Sequence, residues 1–251
     1  LYMKKLRGEK NMRKVESKNY IFNYNEGSVA EKQLEKIINI QETCFEFICN
    51  TLEVNMPCKI NYYLCDSPEQ VGEIFGDNEP CNAFACEPNN IYAVYNEEIK
   101  CIGFHEDAHV ISYNTLSIPP QTFIREGLAM FFDKGYLGIP NYNWVNYFID
   151  NNLYVNITKL VDNEEFKKVN FVITYTIAGA FTEYLLLSFG IDTYKEFYSN
   201  LNDDIEGSFQ KAFKNSLEDM ENNFLNYLKA LKNNEDINEL LKKYCKRCKI
   251  V

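Results

Sequence analysis

Only two histidines occur in the chain, and both stand in one pentapeptide, His105-Glu106-Asp107-Ala108-His109. On a helix, side chains four residues apart project from the same side, so both imidazoles can reach one metal ion. Glu106 stands beside them, where its carboxylate can take a proton from a water that the metal activates. Two satisfied histidines on a helix face would account for the spacing but not for the carboxylate between them. Zinc is the expected ion, one per chain, because two neutral imidazoles and a carboxylate suit it and leave a position for water. With no third histidine, the third protein ligand has to be a carboxylate or a thiolate. The next helical segment, Phe123-Ile124-Arg125-Glu126-Gly127-Leu128-Ala129, supplies one. Glu126 is the single acid of an otherwise apolar or basic stretch, and Gly127 lets another backbone come close. The helix dipole would also favour an acid in a first turn. Its place just after the histidine helix makes the ligand reading the expectation here, giving His105, His109 and Glu126 around the metal and Glu106 as general base.

These side chains need a scaffold, and its elements can be read along the chain. Residues 19–26 alternate like a short strand, and Ser28 is placed to cap a helix running to about Leu52. Lys59 to Leu64 and Ile91 to Tyr95 are rich in β-formers, while Gly76, Pro80 and the Cys81–Cys86 segment between them read as loop and edge. From Glu98 the pattern turns helical, with helices expected over 98–114, 121–134, 142–151, 170–189, 193–201, 207–231 (broken) and 235–245. Gly135 and Gly190 sit at expected helix stops. On the metal helix, Cys101, Phe104, Ala108 and Ile111 form the core stripe, and Lys100 and Asp107 point to the far side. The fold class is therefore α+β: a small mixed sheet with the active-site helix, then an all-helical half. The expected organisation is a basic extension over 1–18 and a single domain over 19–251, its halves about 19–115 and 116–251.

Charge and composition narrow the function. The 251 residues carry a formal net charge of -10 and no long basic run, which argues against nucleic acid as the main partner. Uninterrupted apolar stretches are only a few residues long, so no membrane partner is expected. No apolar segment follows the basic start, so no signal peptide is expected and the cytoplasm is the default compartment; an upstream segment removed before Leu1 would leave secretion open. Nine cysteines, an odd number, are expected as free thiols rather than a disulfide framework. Cys245 and Cys248 form a lone C-x-x-C, read as a frayed or surface feature of the tail.

The HEDAH segment followed by Arg125-Glu126-Gly127-Leu128-Ala129 resembles the gluzincin pattern, HExxH with a downstream Glu in an E-G-x-A context, and within that clan the compact peptidase MA-like proteins. The similarity extends into Tyr175-Thr176-Ile177-Ala178-Gly179-Ala180-Phe181 and covers about residues 20–200. It implies a zincin (thermolysin-like) fold, a zinc metallopeptidase with a peptide or protein substrate, and the roles already given to His105, His109, Glu126 and Glu106. It further implies a tyrosine that donates a hydrogen bond to the oxyanion, for which Tyr175 is the candidate; the residues themselves equally allow a core aromatic there. Asn82-Ala83-Phe84-Ala85 occupies the place of the clan's substrate-binding segment and forms part of an edge that an extended peptide can join. It lacks the acid with which clan aminopeptidases hold a free amine, so endopeptidase action is expected. Thermolysin-like enzymes carry an Asp four residues after the ligand Glu; here that residue is Met130. Two alternatives remain: a zinc hydrolase for a narrow or non-protein amide substrate, and a non-catalytic zinc-binding protein on a peptidase scaffold. Retention of Glu106 argues against the second, because zinc can be held without it.

Overall fold

The structure, a computed structural model, describes residues 12–76 and 79–250. The chain divides into two compact units, Leu1–Thr115 and Leu116–Val251. The first is mixed α and β and the second is helical apart from one short hairpin, so the α+β class holds.

In the first unit, strands β1 (Arg13–Glu16), β2 (Tyr20–Tyr24), β3 (Ile60–Cys65), β4 (Ala83–Cys86) and β5 (Asn90–Val94) form one sheet in the order β1-β2-β3-β5-β4. β2, β3 and β5 run parallel, and β1 and β4 add antiparallel edges. Residues 13–16, expected in a basic extension, thus belong to the sheet, and 1–11 lie outside the described residues. Aromatic residues in these strands build the core: Tyr20 stacks on Phe22 at 5.1 Å, and Phe22 meets Tyr62 at 5.8 Å.

Ser28 caps a helix as expected, its Oγ accepting from Glu31 N at 3.1 Å. The helix is interrupted at Gln33 (φ -115°, ψ 15°), giving α1 (Val29–Lys32) and α2 (Leu34–Leu52). α2 buries Ile37, Gln41, Cys44, Phe45, Ile48 and Leu52, a 3-4 spaced stripe with one polar member. α3 (Pro68–Phe75) follows β3, capped by Ser67.

The helix that carries both histidines, α4 (His105–Thr115), is shorter than its pattern suggests. Asn96 Oδ1 accepts from the backbone of Glu98 and Ile99, and Cys101 N donates to Val94 O at 2.8 Å, so this stretch folds back on β5 instead of coiling. Gly103 then takes φ +132°, a conformation side chains disfavour. Cys101 and Phe104 therefore precede the helix and form no stripe with Ala108 and Ile111. The placement of Asp107 on the far side is also overturned, since Asp107 is fully buried. α4 packs along α2 and β4, and Asn114 Nδ2 donates to Pro88 O in the β4–β5 turn at 2.6 Å.

The second unit contains α5 (Thr122–Asp133), the β6 (Gly135–Tyr136) and β7 (Ile139–Pro140) hairpin, α6 (Asn141–Asp150), α7 (Ile157–Leu160), α8 (Asn163–Lys168), α9 (Phe171–Ser199), α10 (Ile205–Phe213), α11 (Leu217–Leu228) and α12 (Glu235–Arg247). Gly190 (φ 79°, ψ 167°) breaks α9 at the expected stop. At the end of α5 it is Lys134 (φ 65°) that takes the left-handed cap, one residue before Gly135. α9 is long and apolar enough to cross a membrane by length and composition, although apolar runs in the sequence gave no such expectation. Most of that stretch is buried, with α5 and α6 packed on the helix, as in the centre of a bundle.

The C-terminal segment is a packed helix, not a frayed tail: Cys245 is fully buried, Tyr244 stacks on Trp144, and Asn170 Nδ2 donates to Cys248 O at 3.1 Å. No disulfide joins the described cysteines.

Candidate metal centre

α4 begins at His105, so the HEDAH segment forms its first turn and a half. The two imidazoles stand 5.1 Å apart between centroids with their planes at 83°, His109 buried and His105 half-buried. His109 Nδ1 lies 3.2 Å from the hydroxyl of Tyr113, one turn further along.

Asp107 anchors this turn from beneath. Its Oδ2 accepts from the Tyr20 hydroxyl of β2 and, at 2.9 Å, from Gln41 Nε2 of α2. Gln41 also brackets Gly103, donating to its carbonyl at 3.1 Å and accepting from its N–H at 2.7 Å. The helix start is thereby tied to a strand and a helix at once. Among the described residues none donates to Asp107 Oδ1. Burial holds the Asp107 carboxyl well above the usual carboxylate range, against the lowering effect of the Tyr20 hydrogen bond. Burial likewise raises the Tyr20 hydroxyl, reinforced by Asp107. Nearby, burial pushes the Cys101 thiol up to about 11, with the charge of Glu106 adding to it.

Glu126 lies in the second turn of α5 and is half-buried. Arg125 secures the start of that helix, donating to Pro120 O and Thr122 Oγ1, each at 3.0 Å. Gly127 does what its lack of a side chain suggested: a Cβ there would stand 2.4 Å from Thr182 Oγ1 and 3.0 Å from the Ala178 carbonyl oxygen of α9.

One ligand atom each from His105, His109 and Glu126 lies within 4.8 Å of the others, a His-His-Glu group that could hold a metal ion. The donors fit zinc in kind, as tetrahedral bonds of about 2.0–2.1 Å set ligand atoms roughly 3.3 Å apart.

The remaining expected residues are placed as follows. Asn82 precedes β4 and its carbonyl accepts from Val94 N at 2.9 Å, while Ala83, Phe84 and Ala85 lie in β4 itself, an outer strand of the sheet. Tyr175 is on α9, its ring 6.0 Å from Phe166 and 6.1 Å from Phe171, in an aromatic cluster. Sequence reasoning missed Tyr113, whose four-residue spacing from His109 was a legible signal. It also missed Tyr20 and Gln41, for which only the sheet and α2 supply the connection. No family model matches the chain, and no curated protein matches it.

Proposed function

We propose that this chain is a zinc-dependent peptidase of gluzincin type, with a zincin fold, that cleaves peptide bonds internally. The observation that carries the reading is the convergence of His105, His109 and Glu126 with Glu106 next to the first ligand on the same helix turn. Zinc, when bound there, supplies a Lewis acid that makes a water easier to deprotonate and polarises a carbonyl. Glu106 accepts the proton of the attacking water and passes it to the departing amine. The Asp107–Tyr20–Gln41 network holds the first turn of α4 so that Glu106 need not reorganise during the reaction. The role of Tyr175 as donor to the oxyanion rests on the family resemblance alone.

β4 supports the internal-cleavage reading. Its antiparallel pairing with β5 and the Val94 N to Asn82 O bond set the alternation so that the N–H and C=O groups of Ala83 and Ala85 face the open edge. An extended peptide can add there beside α4, and such docking requires no free terminus.

The test incubates the zinc-loaded protein and Glu106→Gln with a diverse peptide mixture and reads products by mass spectrometry. Internal cuts by the wild type alone, with zinc bound equally by both, are expected. Trimming from one end, or cleavage by Glu106→Gln at the wild-type rate, would overturn the proposal.

A further inference from the structure

The sequence pattern names no side chain that orients a ligand imidazole in this chain. Four residues after Glu126, where thermolysin-like enzymes carry an orienting Asp, this chain has Met130, a buried thioether that offers no useful acceptor. A metal-ligating imidazole nevertheless needs its second nitrogen engaged, because that bond fixes both tautomer and ring rotation. The Tyr113 hydroxyl stands 3.2 Å from His109 Nδ1. The Tyr113 ring lies 5.5 Å from the imidazole at 30°, so it also flanks it. His109 is buried and Tyr113 half-buried, and both stand on α4.

We propose that Tyr113 is a positioning residue for the metal centre, its hydroxyl oxygen accepting from His109 Nδ1–H and so leaving the Nε2 lone pair for the metal. The proposal builds on the metal reading above but concerns a state that exists without the ion. The opposite arrangement, Tyr113 donating to a bare Nδ1, would put the proton on Nε2 and close that nitrogen to a metal. A phenol one turn away on the ligand's own helix thereby engages the second imidazole nitrogen. The i,i+4 geometry that pairs His105 with His109 pairs His109 with Tyr113 as well.

The test uses imidazole nitrogen NMR on the whole, metal-free protein at a pH where both rings are neutral. With two histidines in the chain, His105→Gln assigns both signals. His109 is expected as the Nδ1–H tautomer in the wild type. In Tyr113→Phe that preference is expected to relax while the His105 signals and the melting temperature stay unchanged. Zinc affinity of Tyr113→Phe is expected to fall about 10–100-fold, the usual consequence of losing such a partner. An Nε2–H wild-type ring, or a Tyr113→Phe protein with unaltered His109 signals, overturns the proposal. Unchanged zinc affinity overturns it too. A wild type that shows the tautomer shift but binds no zinc sinks the metal reading and leaves the His109–Tyr113 orientation standing, so the two failures are distinguishable.

Discussion

Adding one methyl group at Gly127 should disturb the helix that carries Glu126, and the structure allows the size of the effect to be worked out. A Cβ built there would lie 2.4 Å from Thr182 Oγ1, 3.0 Å from the Ala178 carbonyl oxygen and 3.4 Å from its carbon. The first neighbour is a short, buried side chain and the second is helix backbone, so neither yields without moving α9 against α5. Overpacking of this kind costs about 1–3 kcal/mol, and a backbone obstacle places it toward the upper end. Ala in place of a helical Gly returns about 1 kcal/mol of propensity. The net expectation is a loss of about 1–2 kcal/mol, or a fall of roughly 5–30-fold in the folding equilibrium constant. Trp144, the only tryptophan, is buried in the same unit, so urea denaturation followed by its fluorescence reports the relevant unit. Thr182→Ala should cost less in the Gly127→Ala background than in the wild type, with a coupling of at least about 0.5 kcal/mol. A Gly127→Ala protein more stable by about 1 kcal/mol, as propensity alone would give, refutes the close-approach argument. Strict additivity with Thr182→Ala refutes the identity of the contact.

Three further outcomes follow from the geometry. Ala85→Pro removes an N–H that faces the open edge of β4 and leaves the ladder to β5 intact; cleavage efficiency should drop about 5–10-fold, the worth of one hydrogen bond, with zinc content unchanged, and an equal loss of zinc would show that the strand itself was damaged. Zinc at about 100 times its dissociation constant should stabilise the wild type by about 2.7 kcal/mol in urea titrations; His109→Ala and Glu126→Ala should lose most of that gain, and a full gain in Glu126→Ala would remove it from the ligand set. Burial pushes the Cys65 thiol up to about 12 from its ordinary 9.0, so above pH 9 the folded state keeps a proton that the unfolded state gives up, and stability should fall as pH rises from about 9 toward 12. Cys65→Ala should flatten that slope, and at pH 8 an alkylating reagent should modify exposed Cys58 far ahead of Cys65.

The residues legible in the sequence were those whose signal is short-range. His105, Glu106 and His109 lie within five positions, and a four-residue helical spacing is enough to align two imidazoles. Ser28 as a cap, the three parallel strands and the break at Gly190 were likewise local choices of propensity and turn chemistry, which few contacts could override. Gly127 was readable as a point of close approach because only a missing Cβ permits one.

Other features were decided by partners far along the chain. The histidine-bearing helix begins at His105 rather than Glu98 because Cys101 is bonded back to Val94 and Gln41 of α2 clamps Gly103. Helical periodicity continues through that stretch and carries no trace of either constraint. Asp107, whose helical position sent it toward solvent, is buried because Tyr20 and Gln41, 87 and 66 residues away in sequence, converge on its carboxyl. A charged residue type normally marks an exposed face; here two hydrogen bonds to Oδ2 and an upward-shifted carboxyl offset the cost of burial. Two of the three grouped side chains thus stand within five consecutive residues, while the aim of their helix depends on polar contacts that exist only once sheet and helices have assembled.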